Sequence, residues 1–336
     1  MVFIYAAFQC KPARRGVNWV TLESNMKRIL ILAAVALCAS AADVRLGIIG
    51  TDTSHVVEFT RILNDATAVD HIPGARVVAA YKGGSADIES SKSRVDPYAE
   101  QIGSNYGVEI VPDIQTLLGK VDGVLLESLD GRPHLAQARP VIAARKPLFI
   151  DKPLAATLED AREIARLAKE AGVPWFSSST LRFSDMVAGL KFPDTVGAIT
   201  WGPGPFEPHH PLDLAWYAIH PIEMLYTLMG TGCESVTRIA GQDADVVVGR
   251  WKDGRIGVVR ANRPGNDYGA EVFRPKETVA SRPQGAGGYR PLVVEIVKFF
   301  ETGKPPVPNE ETLEIFSFMD AAQRSKEHGG IPVTLR

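Results

Sequence analysis

From Val44 to Ser177 the chain alternates between short apolar runs and segments whose apolar residues recur every three or four positions. Val44–Ile49 is a largely apolar run that stops at Gly50, as a buried parallel strand does. Thr51-Asp52-Thr53-Ser54 offers helix caps, and His55–Asp65 reads as the helix they start. The same rhythm gives strands at Arg76–Tyr81, Glu109–Val111, Gly123–Glu127, Leu148–Ile150 and Val173–Ser177. Helical spacing fills the intervals at Asp96–Tyr106, Asp113–Leu118, after Pro133, and between Thr157 and Gly172. In the last of these, Thr157 with Asp160 resembles a capping box, and Ala161, Ile164, Ala165 and Ala168 form the buried stripe. Parallel strands need crossover helices, so the alternation predicts an α/β, doubly wound parallel sheet, a Rossmann-like domain over residues 43–180.

The rhythm changes after Arg182. Ala198–Trp201, Ser235–Ala240, Asp245–Trp251 and Ile256–Ala261 read as strands, with one helix near Pro221–Met229. Lys252-Asp253-Gly254-Arg255 carries the Asp-Gly signal of a tight hairpin. A smaller α+β domain with an antiparallel sheet is therefore predicted over residues 181–290. The Gly/Pro-rich stretch Pro264–Gly288 reads as a loop or a partner-contacting arm. Helices near Pro291–Glu301 and Glu310–Glu327, within residues 291–336, are expected to pack back on the core.

The first 42 residues follow a different pattern. Lys27-Arg28 precedes the apolar run Ile29–Cys38, and Ala39-Ser40-Ala41-Ala42 follows it. A cationic start, a short apolar stretch and a small-residue cleavage box predict a secretory signal peptide at about residues 26–41, with Met26 as the start. The run is too short to span a membrane. The expectation is an exported, periplasmic protein with no integral membrane anchor in the mature chain. Losing residues 1–41 removes five of the 37 Lys/Arg and one of the 39 Asp/Glu, so the net charge moves from −2 to −6. Cys10 and Cys38 leave with them, and Cys233 alone can form no intramolecular disulfide. At 45% hydrophobic and 23% charged residues the composition is that of a globular protein, which argues against disorder. No basic stripe stands out, so no nucleic-acid partner is expected.

The chemistry centres on Pro147-Leu148-Phe149-Ile150-Asp151-Lys152-Pro153. Pro153 lacks a backbone donor and steers Lys152 away from helical dihedrals, so the chain leaves the sheet here. That places the Lys152 amine just past the carboxyl end of a strand, where open α/β sheets bind ligands. The stretch Pro133-His134-Leu135, Lys146 through Ala155, Leu158-Glu159-Asp160-Ala161 and Leu181-Arg182-Phe183 resembles the Gfo/Idh/MocA family, named for glucose–fructose oxidoreductase and inositol dehydrogenase. A second match is Ile219-His220-Pro221-Ile222-Glu223-Met224-Leu225, ending at Gly230. The resemblance implies an NAD(P)-dependent oxidoreductase acting on a small sugar, polyol or sugar derivative. Lys152 is implied to hold the substrate hydroxyl beside the nicotinamide, and His220 to be the general acid–base. A homo-oligomer paired through the antiparallel sheet is implied as well.

Two departures from that family matter. Its fingerprint Gly-x-Gly-x-x-Gly reads Gly50-Thr51-Asp52-Thr53-Ser54-His55 here, and only Gly50 survives. The second glycine lets backbone approach a pyrophosphate, and Asp52 puts bulk and negative charge there. Thr51, Thr53 and Ser54 can still donate hydrogen bonds above a helix N-terminus, so Gly50 to Ser54 is the expected cofactor loop. The second departure is Trp216, where the family often has Asp; Glu223 and Asp213 are the candidate replacements.

The second strand ends at Tyr81-Lys82 and not at an acid. A cation suits a 2′-phosphate, so Lys82 and Ser85 lean toward NADP, the alternative being a solvated loop lysine. Ser128 and His134, after the fourth strand, join the cofactor side, and Arg132 reads equally as a phosphate contact or a loop cap. His209, His210, Asp213, His220 and Glu223 raise a metal reading, but their spacing matches no compact motif and no metal is expected. Fold does not fix function, so the alternative is a non-redox carbohydrate lyase or hydrolase, or a sugar-binding protein with a decayed nucleotide site.

Overall fold

A computed structural model describes residues 42–282 and 287–336; the expected signal segment lies outside the described residues. The apolar runs form six strands: β1 (Val44–Ile49), β2 (Ala75–Tyr81), β3 (Glu109–Val111), β4 (Gly123–Leu126), β5 (Leu148–Asp151) and β6 (Trp175–Ser178). They pair in parallel in the order 3-2-1-4-5-6. β1 sends its connection to β2 on one side, and the chain returns as β4 on the other. The carboxyl ends of β1 and β4 therefore mark the switch point of a doubly wound sheet.

Helices α1 (Ser54–Asn64), α2 (Val95–Tyr106), α3 (His134–Ala143) and α4 (Leu158–Ala171) follow their strands. Local chemistry sets the ends of α4. Thr157 Oγ1 accepts from Asp160 N at 3.0 Å, and Gly172 takes the left-handed φ of 65° that closes the last turn. Further on lie α5 (Ile219–Met229), α6 (Arg290–Thr302) and α7 (Asn309–Glu327). α1, α2 and α6 cover one face of the parallel sheet. There Phe59, Phe149, Phe176 and Phe299 form a continuous aromatic run, with successive centroids 6.4, 4.9 and 5.0 Å apart. Each buried phenyl contributes about 1.5–3 kcal/mol, so α6 is firmly anchored to the first domain. The opposite face joins the core of the second domain through α3 and α4.

The second sheet has seven strands: β7 (Gly197–Pro203), β8 (Cys233–Ala240), β9 (Ala244–Trp251), β10 (Ile256–Asn262), β11 (Gly269–Phe273), β12 (Thr278–Ala280) and β13 (Val333–Thr334), ordered 12-11-7-10-9-8-13. Gly254, at φ 87°, closes the expected hairpin between β9 and β10. Two expectations need correction. The sheet is mixed, because β7 and β10 run parallel: α5 and the β8–β9 hairpin intervene and bring the chain back in the same direction. The stretch 264–288 also carries β11 and β12. Its Gly269 is there for packing, since any Cβ would collide with the Trp201 indole.

α5 packs on β7 and β10 on one side and on the 3₁₀ turn Thr180–Phe183 and α7 on the other. Ten of its eleven residues are buried, which fits a helix apolar all round, and its polar exceptions, His220 and Glu223, stand out for that reason. Among the described residues no helix is long and apolar enough to cross a membrane.

Candidate active site

The parallel register pairs Asp151, the last residue of β5, with Ser178, the last of β6. Lys152 and Ser179 therefore leave the same edge side by side. α5 brings His220 onto them: its Nδ1 shares a 2.7 Å hydrogen bond with Ser179 Oγ. Glu223, one turn further along α5, accepts from Ser178 Oγ and Ser179 N, both at 3.0 Å, and from Arg182 Nε at 3.1 Å. This carboxylate clamps the end of β6 to α5 and so fixes the serine that orients His220. Burial holds His220 well below the usual imidazole range, and the nearby charges of Lys152 and His55 push it further down. It is therefore neutral. The Lys152 Nζ and His220 Nε2 have no partner among the described residues, and neither is sealed from solvent. Tyr217 and Tyr268 pack edge-on against the His220 ring at 5.2 and 5.9 Å. The same two tyrosines line a cavity of about 640 Å³ with Phe206, Asn262 and Arg263.

Sequence reasoning missed the next shell of ionisable groups. His55 Nδ1 lies 2.7 Å from Asp151 Oδ2, both nearly buried. Burial works to raise Asp151, but His55 and Lys152 outweigh it and hold the carboxyl below its usual range. Glu127, following β4, is fully buried with neither oxygen partnered among the described residues. Burial, then Asp151 and Asp52, push it well above the usual range, so it keeps its proton. The available signal was a histidine in place of the third fingerprint glycine, and acids ending two adjacent buried strands.

The fingerprint half looks different. Gly50 turns at φ 91°, and any Cβ there would strike Ser128. Thr51 N donates to Lys82 O at 2.7 Å and its hydroxyl to Val95 O at 2.8 Å. The Asp52 carboxylate is completely buried and accepts from Ser91 Oγ at 2.6 Å and Leu129 N at 3.0 Å. Burial raises it from its ordinary value. Thr53 caps α1, accepting from His55 N at 3.1 Å, while Ser54 is exposed. Lys82 pairs with Asp96 at 2.8 Å, and Ser85 Oγ donates to Asp130 at 2.6 Å. Ser128 Oγ donates to Gln137, and the buried His134 ring bridges Leu154 O and Ser128 O. Arg132 forks onto Asp87 and also meets Asp130.

The second-domain candidates scatter. Asp213 pairs with the buried Arg238 and with Lys326, away from His220. His209 pairs with Glu207, and His210 Nδ1 donates to Leu212 O at 3.0 Å. No group of three or more His, Cys, Asp or Glu among the described residues is arranged to hold a metal.

Residues 44–178 match the family profile described as an oxidoreductase family with an NAD-binding Rossmann fold. Residues 44–178 belong to the Gfo/Idh/MocA family. The family that this region matches is one of oxidoreductases. Solved structures share the fold over both domains. A probable dehydrogenase from Thermotoga maritima matches at 22% identity and TM-score 0.68, covering 86% of this chain and 98% of its own. Myo-inositol 2-dehydrogenase from Lactobacillus plantarum matches at 16% and 0.71, covering 88% and 100%. The WlbA dehydrogenase from Bordetella pertussis, solved with NADH and UDP-GlcNAcA, matches at 18% and 0.67, covering 88% and 99%. No curated protein matches in sequence.

Gly50 and the N-terminus of α1 suit a pyrophosphate, and the Lys152 edge suits the nicotinamide end. The adenosine half does not fit the loop that Asp52 and Gly83 close. Asp52 fills the position of the second glycine, and Gly83 packs on Gly50, where an added Cβ would lie 3.2 Å from its Cα. The segment from Lys82 to Val95 is tied down onto the fingerprint loop and onto the loop after β4.

Proposed function

We propose that the cleft at the Lys152 edge acts on a sugar, polyol or sugar derivative, with Lys152 orienting a substrate hydroxyl and His220 exchanging its proton. The single observation behind this is a pair of unpartnered nitrogens, Lys152 Nζ and His220 Nε2, brought to one edge from two domains. A neutral imidazole suits proton transfer at neutral pH. The protein is read as an exported member of an oxidoreductase family, consistent with the leader pattern at residues 26–41. N-terminal sequencing of the protein from the periplasm tests export: a start near Ala42 supports it, and an intact Met26 in the cytoplasm overturns it.

One observation favours a second, redox-neutral reading, namely Asp52 filling the second fingerprint position and bonded there to Ser91 and Leu129. Thermal melting with millimolar NAD, NADP and candidate sugars decides between them. A dinucleotide shift, with substrate reduction or oxidation abolished in Lys152→Ala, supports the redox reading. No shift with either dinucleotide retires it. The finer preference for NADP would need Lys82 and Ser85 released from Asp96 and Asp130.

A homo-oligomer is proposed through the open face of the second sheet. Ile199, Trp201, Val246, Val248 and Val258 are only partly buried there. Light scattering measures the mass directly, and Val248→Arg is expected to give monomers.

A further inference from the structure

The geometry points to a second proton-transfer group in this cleft, His55 held by Asp151, and to a redox-neutral activity that it provides: exchange of the proton on a carbon beside a ketone of a polyhydroxy compound. It rests on the reading of the Lys152 edge as the substrate site.

Three features carry the inference. The first is the pairing itself. His55 Nδ1 is fixed on Asp151 Oδ2 at 2.7 Å, which turns Nε2 to the opposite side of the ring. That nitrogen has no partner among the described residues and is not sealed. A carboxylate on one imidazole nitrogen with the other left free is the arrangement that sets a histidine up as a base. The second is rigidity. The ring stacks on Phe59 at 5.4 Å and takes the Tyr289 edge at 4.8 Å, and Phe59 belongs to the aromatic run under the sheet. The third is placement. His55 is tied to Asp151 at the end of β5, Lys152 follows that residue, and His220 is tied to Ser179, which leaves the neighbouring strand at the same edge. The third fingerprint position, which would hold a glycine for close packing of helix on strand, carries an imidazole instead.

The step balances without an oxidant. His55 Nε2 takes the proton from the carbon next to the carbonyl. The C–H electron pair becomes the carbon–carbon double bond of an enediolate. The carbonyl π pair moves onto oxygen, where the Lys152 ammonium holds the charge. The imidazolium trades its proton with water and returns a solvent proton to the same carbon, restoring the ketone. No electrons leave the substrate, so the filled second fingerprint position is no obstacle. The substrate class is an α-hydroxyketone, the oxidised form of a sugar or polyol.

The test is deuterium incorporation. The full chain is incubated in D₂O, without added dinucleotide, with dihydroxyacetone, fructose and an inosose, and carbon-bound deuterium is read by NMR. The wild-type protein is expected to label at least one of them above the buffer rate. His55→Gln keeps a side-chain N–H for Asp151 but cannot cycle a proton, and is expected to lose labelling at least 100-fold with its melting temperature retained. His55→Ala serves as the second variant. No labelling by wild type, or labelling unchanged in a folded His55→Gln, overturns the inference. Dinucleotide-linked turnover is followed in parallel on the same preparations. Turnover without labelling sinks this inference and spares the redox reading, while labelling without turnover does the reverse.

Discussion

The carboxyl edge of the parallel sheet has two halves with opposite states of polar satisfaction. Over β1–β3, Thr51, Asp52 and Ser85 have their side-chain oxygens bonded to other parts of the chain, and Lys82 pairs with Asp96. At the β4–β6 edge, Lys152 Nζ and both Glu127 oxygens, joined by His55 Nε2 from the start of α1 and His220 Nε2 from α5, stand without partners among the described residues. An unmade buried hydrogen bond costs about 1–3 kcal/mol, a cost that falls on Glu127, the sealed member of the set. The difference teaches where this chain does its work. The fingerprint loop through Asp52 has been turned into scaffold, while His55 at its end joins the free groups at the neighbouring edge.

The largest test of that contrast removes the free groups. Lys152→Ala and His220→Ala are each expected to lower turnover about 10³-fold while melting changes little, read by steady-state kinetics beside a thermal scan. Full activity in both would move the site elsewhere. Next in size is Gly50→Ala on the finished half. The positive φ and the collision with Ser128 together are expected to cost about 3 kcal/mol in urea unfolding. A loss under about 1 kcal/mol would mean that the loop relaxes.

Asp52→Gly sharpens the comparison from the other side. It forfeits the bonds from Ser91 and Leu129, an expected loss of about 1–3 kcal/mol, and reopens the second fingerprint position. NAD binding, measured by calorimetry, is expected to tighten; unchanged binding would assign the closure to the 82–95 segment alone.

Glu127 gives a signed pH effect. Its folded-state value lies well above the ordinary 4.5, so between the two the folded chain holds a proton that the unfolded chain has released. Stability therefore falls as pH rises through that window. Glu127→Gln is expected to remove the slope, being more stable than the parent at pH 8 with the gap closing on acidification toward 4.5. An unchanged slope would show that Glu127 is ionised in the fold. The smallest effect belongs to Lys82→Ala. Its exposed pair with Asp96 is worth about 0.5 kcal/mol or less, and discrimination between NADP and NAD is expected to stay unchanged.

Much of this was legible from residue order. The β/α alternation, the capped helix after Thr157 and the Asp-Gly hairpin are local or periodic signals, and each appears in the fold. The strands β11 and β12 were not legible. Gly269 and its neighbours read as loop formers, and only the Trp201 indole above them explains the small residue. The parallel pairing of β7 with β10 was equally hidden, since strand direction depends on what intervenes. Within the site, Lys152 could be singled out because a proline breaks the chain beside it, and His220 through the family resemblance of Ile219–Leu225.

Sequence alone determined which residues could carry chemistry and that the fingerprint was altered at Asp52 and His55. What those alterations do was decided by tertiary structure. Asp52 turns inward to hold two loops, while His55 finds Asp151, 96 positions away, at the end of another strand. The physical reason is that a side chain's role is set by which groups satisfy it, and in a doubly wound sheet those groups come from strands far apart in the chain but adjacent at one edge.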